Sequence, residues 1–138
     1  PLYTLPVYGS ANCGPATIFA EQNIEGYLKV SSGLLPKSRK GLFVLRASGA
    51  SMNRAQIQGK TIEDGDFVLV DSNYKNFKTG DVVVAIIEDM ATIKRYRYDK
   101  VHERILLEAE ATQKYLPIIL HEEDNFLING KVTDIIKG

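Results

Sequence analysis

The chain has 138 residues, 44% hydrophobic and 25% charged, the size and balance of one ordinary domain with its own core. Seventeen basic side chains offset seventeen acidic ones, so no global field gathers nucleic acid, and DNA binding would need a local patch or a segment outside this chain. One cysteine makes neither an internal disulfide nor a zinc site, which fits a reducing cytoplasm.

No apolar run approaches the roughly 18–20 residues that span a bilayer, and no secretory signal is visible, so no membrane partner is expected. The first residue is proline rather than methionine, so an upstream segment is expected. Residues 1–16 hold Pro1, Pro6, Gly9, Gly14 and Pro15 among small residues and read as an extended, mobile arm that cannot form a helix. The remainder, 17–138, reads as one folded domain.

Thr17-Ile18-Phe19 and Tyr27-Leu28-Lys29-Val30 are short strand candidates, followed by a polar loop over 31–40. The stretch 42–47 is apolar and β-prone. After it, 53–58 is the one short helical candidate. An Asp64-Gly65-Asp66 turn leads into Phe67-Val68-Leu69-Val70. Val82–Ile87 is apolar enough to be buried on both faces, and 91–98 returns from it across a Glu88-Asp89 tip. Residues 105–107, 118–120 and 126–136 complete the set. Strand signals at this spacing predict an all-β fold, a partly open barrel or sandwich.

Two side chains on these elements carry chemistry. The sequence has 7 Ser and 11 Lys, so placement must select among the pairs. Ser51 follows the 42–47 strand through Ser48-Gly49-Ala50, small residues whose backbone can approach a substrate carbonyl closely. The amides of Ala50 and Ser51 are the candidate oxyanion-hole donors. Alternatively, Ser51 is simply the N-cap of a helix over 53–58. Lys94 lies in a predicted strand whose alternation puts Thr92, Lys94 and Tyr96 on one face, so the Thr92 hydroxyl can hold the amine. A general base must be uncharged, and burial against Val82–Ile87 would lower the lysine's affinity for its proton. Alternatively, Lys94 snorkels from a strand edge.

His102 and His121 show no partner motif that would make Cys13 a nucleophile, and with scattered carboxylates they form no metal cluster, so neither metal nor cofactor is expected. Glu63, Asp64 and Asp66 read as turn formers.

Taken together, these segments resemble the self-cleaving domain of the LexA-type repressors, a family that includes lambdoid phage repressors and UmuD-like polymerase subunits. The likeness rests on Gly49-Ala50-Ser51-Met52, on 62–70, on Gly80-Asp81-Val82-Val83-Val84-Ala85 and on Thr92-Ile93-Lys94-Arg95, in that order. It implies Ser51 as nucleophile, Lys94 as base, and Thr92 and Met52 as support. The family's cleavable bond is Ala-Gly or Cys-Gly, a few tens of residues before the serine, which implies cutting at Cys13-Gly14. It further implies stimulation by a RecA filament on single-stranded DNA. A homodimer is expected from the residues themselves, with the apolar strand 126–136 as its pairing edge. DNA would be bound only through an N-terminal domain absent from this chain. A repressor of the DNA-damage response is the first functional expectation; a UmuD-like accessory subunit of a translesion polymerase is the second. Signal peptidases share the chemistry, but no membrane anchor is present here.

Overall fold

A computed structural model describes residues 1–10, 24–37, 39–88 and 90–138. The strands, in chain order, are β1 (Leu2–Ser10), β2 (Ile24–Ser31), β3 (Leu42–Arg46), β4 (Gln56–Ile57), β5 (Lys60–Thr61) and β6 (Phe67–Asp71), then β7 (Val82–Ile87), β8 (Met90–Asp99), β9 (Arg104–Glu108), β10 (Ile118–His121) and β11 (Phe126–Ile136). Apart from one turn of 3-10 helix at Ser32–Leu34, the described residues contain no helix. The fold is all-β, as the strand spacing implied.

Nine strands form one sheet in the order β10-β9-β8-β7-β11-β6-β3-β1-β2, and β4 pairs with β5 in a separate hairpin. Every pairing is antiparallel except β1 with β3. The end strands β10 and β2 are not joined to each other, so the sheet is open.

Alternation along the central strands explains how one sheet buries both faces. Val82, Val84 and Ile86 of β7 enter the main core with Phe43 and Leu45 of β3 and Val68 and Val70 of β6. The intervening Val83 and Ala85 pack with Leu107 and Leu120 of the β9–β10 end. Val44 and Leu69 face Leu5, Val7 and Val30 of the β1–β2 end. The two ends of the sheet thus cover opposite ends of its own middle. Full burial of such a Val or Leu contributes about 1.5–3 kcal/mol.

Two sequence expectations are corrected here. The first ten residues are no loose arm: Leu2–Ser10 is a strand, paired with β2 along its length and with β3 from Val7 onward. Burial of Leu5 and Val7 at 1% and 5% exposure anchors it, and Pro6 precedes the β3 ladder, so its missing N–H interrupts no run of bonds there. The helix over 53–58 does not form either. Residues 51–54 are turn, and β4 folds back on β5 through Gln58 and Gly59, whose consecutive positive φ angles of 52° and 75° make a tight hairpin turn.

The strand β11 also differs from its expected place at an edge. It lies between β7 and β6, because its length lets the first half pair with β7 and the second with β6. Thr17-Ile18-Phe19 and the Asp89 tip residue lie outside the described residues.

Candidate active site

Ser51 opens the turn that follows β3, and the turn is held by several backbone contacts. Asn53 N–H donates to the Ala50 carbonyl at 3.3 Å and Ala55 N–H to the Met52 carbonyl at 3.0 Å. Just upstream, Gly49 has φ +85°, a left-handed conformation that its missing side chain permits. Its N–H donates to Asp64 Oδ1 at 2.8 Å. Asp64 and Asp66 therefore do more than shape their own turn, since Asp66 is also tied to this region through its carbonyl, which accepts Ala47 N–H at 2.7 Å. With no helix present, the N-cap alternative for Ser51 falls away.

Met52 turns into the main core at 3% exposure and so anchors the backbone beside Ser51. Among the described residues, no hydrogen bond uses the N–H of Ala50 or Ser51 as donor. Both amides flank the Ser51 hydroxyl in sequence.

Lys94 comes from β8, opposite Val83 of β7, and Thr92 stands opposite Ala85. Val83 and Ala85 are fully buried, and Lys94 on the same face is itself partly buried. Lys94 Nζ lies 3.1 Å from Ser51 Oγ and 2.7 Å from Thr92 Oγ1, and donates to the Ile93 carbonyl at 3.2 Å. Burial pushes its pKa down from 10.5 to about 8, because desolvation penalises the ammonium form. A lysine snorkelling from an edge would show none of this.

The pair opens into a groove of about 610 Å³. Ser48, Gly49 and Ala50 line it beside Ser51, and Ile87, Ala91 and Thr92 line it beside Lys94. Tyr115, Leu116 and Ile118 form a further apolar wall. Tyr115 and Leu116 were missed in the sequence, where 109–117 carries neither alternation nor a motif, whereas Ile118 falls in the expected strand 118–120. Cys13 and Gly14 lie outside the described residues. Among the described residues no cluster of His, Cys, Asp and Glu is placed to hold a metal ion, and no helix is long and apolar enough to cross a membrane.

A family model described as Peptidase S24-like matches residues 6–133, a span that includes both Ser51 and Lys94. This chain belongs to that family. Its Peptidase S24-like character agrees with the similarity to curated repressors. The LexA repressor of Clostridium novyi strain NT is 34% identical over 136 residues, 99% of this chain and 61% of that protein. That of Clostridium acetobutylicum is 35% identical over 134 residues, 96% of this chain and 58% of that protein. That of Leptospira interrogans serovar Lai is 37% identical over 115 residues, 83% of this chain and 51% of that protein. This Peptidase S24-like chain therefore spans about three-fifths or less of the length of these relatives.

Proposed function

We propose that this chain is the self-cleaving regulatory domain of a LexA-like repressor, cutting its own Cys13-Gly14 bond with Ser51 as nucleophile and Lys94 as base. One observation carries the reading. Two residues 43 positions apart, on elements that do not pair, meet at 3.1 Å in an apolar groove.

The chemistry follows from that contact. Uncharged Lys94 accepts the Ser51 proton, and Ser51 Oγ attacks the Cys13 carbonyl carbon. The amides of Ala50 and Ser51 receive the oxyanion. The tetrahedral species collapses as the C–N bond breaks, and the Lys94 ammonium returns its proton to the Gly14 nitrogen. Water, deprotonated by Lys94, then releases the ester and restores Ser51. Thr92 keeps the amine aimed at the hydroxyl throughout.

In this reading the chain acts in the cytoplasm as a homodimer, DNA is bound by a domain outside it, and a RecA filament on single-stranded DNA favours the cleavable conformation. Such stimulation is a population shift rather than new chemistry.

The test is to incubate the purified chain at alkaline pH and follow its mass. Two fragments divided after Cys13 are expected. Ser51→Ala and Lys94→Ala should each lower the rate by at least about a thousandfold while the folded state persists. Cutting retained in either variant, or a break elsewhere, would overturn the assignment.

A further inference from the structure

The 3.1 Å contact between Ser51 and Lys94 joins parts of the sheet that are far apart. Going from β8 to β3 along the sheet crosses β7, β11 and β6, so the ladder itself gives little control over that distance. A local connection exists instead, and it runs through residue 110. Glu110 N–H donates to the Ser51 carbonyl at 2.8 Å, and Arg54 N–H donates to the Glu110 carbonyl at 2.9 Å. One residue thus brackets both ends of the nucleophile turn.

Glu110 lies past the end of β9, where the chain has no strand to fix it. Its side chain supplies the missing constraint. Glu110 Oε1 accepts from Arg95 Nε at 3.1 Å and also from Arg95 Nη2. Arg95 is the residue after Lys94 on β8 and is itself held by donation from Nη1 to the Gly80 carbonyl. Glu108, directly opposite Arg95 in the ladder, pairs instead with Arg97 at 3.2 Å. A second tie lies alongside: Thr112 N–H donates to Asn53 Oδ1 at 2.9 Å and Asn53 Nδ2 to Thr112 Oγ1 at 3.2 Å.

We propose that Glu110 and Arg95 are positioning residues, a clasp that sets the distance between Ser51 and Lys94 by holding the nucleophile turn to the strand that carries the lysine. The proposal rests on the self-cleavage reading for its kinetic consequence, though not for its geometry. With side chains 30% exposed at Arg95 and 42% at Glu110, the pair is too solvated to matter much for global stability. Its role is local.

The experiment compares Glu110→Ala, Arg95→Ala and the double variant in the full chain, reading three quantities. The first is the self-cleavage rate, expected to fall about tenfold in each single variant and no further in the double, as for two parts of one device. The second is the melting temperature, expected to stay within a few degrees of wild type. The third is the Lys94 titration midpoint, followed by NMR with carbon-labelled lysine. A loosened turn admits water to the amine, so the midpoint should rise in both single variants. Charge alone would move it oppositely, down when Glu110 is lost and Arg95 is left unpaired, up when Arg95 is lost.

Opposite movements, or cutting rates equal to wild type, would overturn the clasp. If Glu110→Ala fails to fold, Glu110→Met, which keeps the bulk of the side chain, replaces it: a raised midpoint still supports the clasp, and a lowered one, the effect of charge alone, overturns it. Should the wild-type chain never cut, the peptidase reading falls. A common rise of the midpoint would still support the clasp in that case, and an opposite or absent shift would sink it too.

Discussion

At the scale of single residues, the proposed role of Lys94 as base ties reactivity to a share of stability. Its pKa of about 8 leaves roughly a tenth of molecules with an uncharged amine at pH 7. The self-cleavage rate is therefore expected to climb as pH passes through about 8 and to level off above it. A flat profile between roughly pH 7 and 10 would remove lysine as the base. The same shift has a thermodynamic consequence. In the unfolded chain the lysine titrates near its ordinary 10.5, so between about 8 and 10.5 the unfolded state binds more protons, and stability rises with pH across that window. Below it, holding the ammonium in the groove costs about 3 kcal/mol at most. Lys94→Met should consequently abolish cutting yet stabilise the fold at pH 7 by about 1–3 kcal/mol in urea unfolding. That gain should shrink as the pH is raised toward 10.5. A destabilised Lys94→Met at pH 7 would contradict the desolvation account.

At the scale of elements, β11 holds the two halves of the sheet together by pairing first with β7 and then with β6. The changeover lies near Gly130, next to a register shift, and a Cβ there would sit 2.7 Å from Val70 Cγ1 and 2.8 Å from the Asp71 carbonyl oxygen. The neighbouring backbone cannot yield as a long side chain would. Gly130→Ala is expected to lower stability by about 1–3 kcal/mol, read as a reduced urea midpoint with an unchanged slope. An unaltered midpoint would mean that the crossing is looser than these contacts require. The sequence made β7 and β8 legible because unbroken apolar runs and strict alternation are local signals. It left Ser51 and Lys94 as candidates with competing structural roles, since nothing local reveals that a turn and a strand 43 residues apart will meet. The strand at Leu2–Ser10 was obscured by its proline and glycine, although the alternation of Leu5 and Val7 was there to read. Glu110, Tyr115 and Leu116 carried no signal, because irregular segments acquire their roles only through tertiary contact.

At the scale of the whole molecule, the proposed self-cleavage tethers the cleavable bond to its own nucleophile, which would make the reaction unimolecular. An effective concentration in the millimolar range, as short linkers give, would leave second-order cutting negligible in dilute solution. The fraction cut per minute is thus expected to remain constant over a hundredfold dilution, followed by gel or mass. Assembly should behave differently. Among the described residues the first half of β11 is paired by β7 alone, and Leu127 in that half is 52% exposed. If two copies associate there, sedimentation at tens of micromolar should show a dimer, and Leu127→Lys should weaken it at least about tenfold, the effect of losing 1.4 kcal/mol or more of burial. Because Ser51 and Lys94, the proposed nucleophile and base, lie in one chain, the same variant should keep its wild-type cutting rate. A rate that fell with dilution in step with dimer dissociation would place the cleaved bond and the nucleophile on different copies.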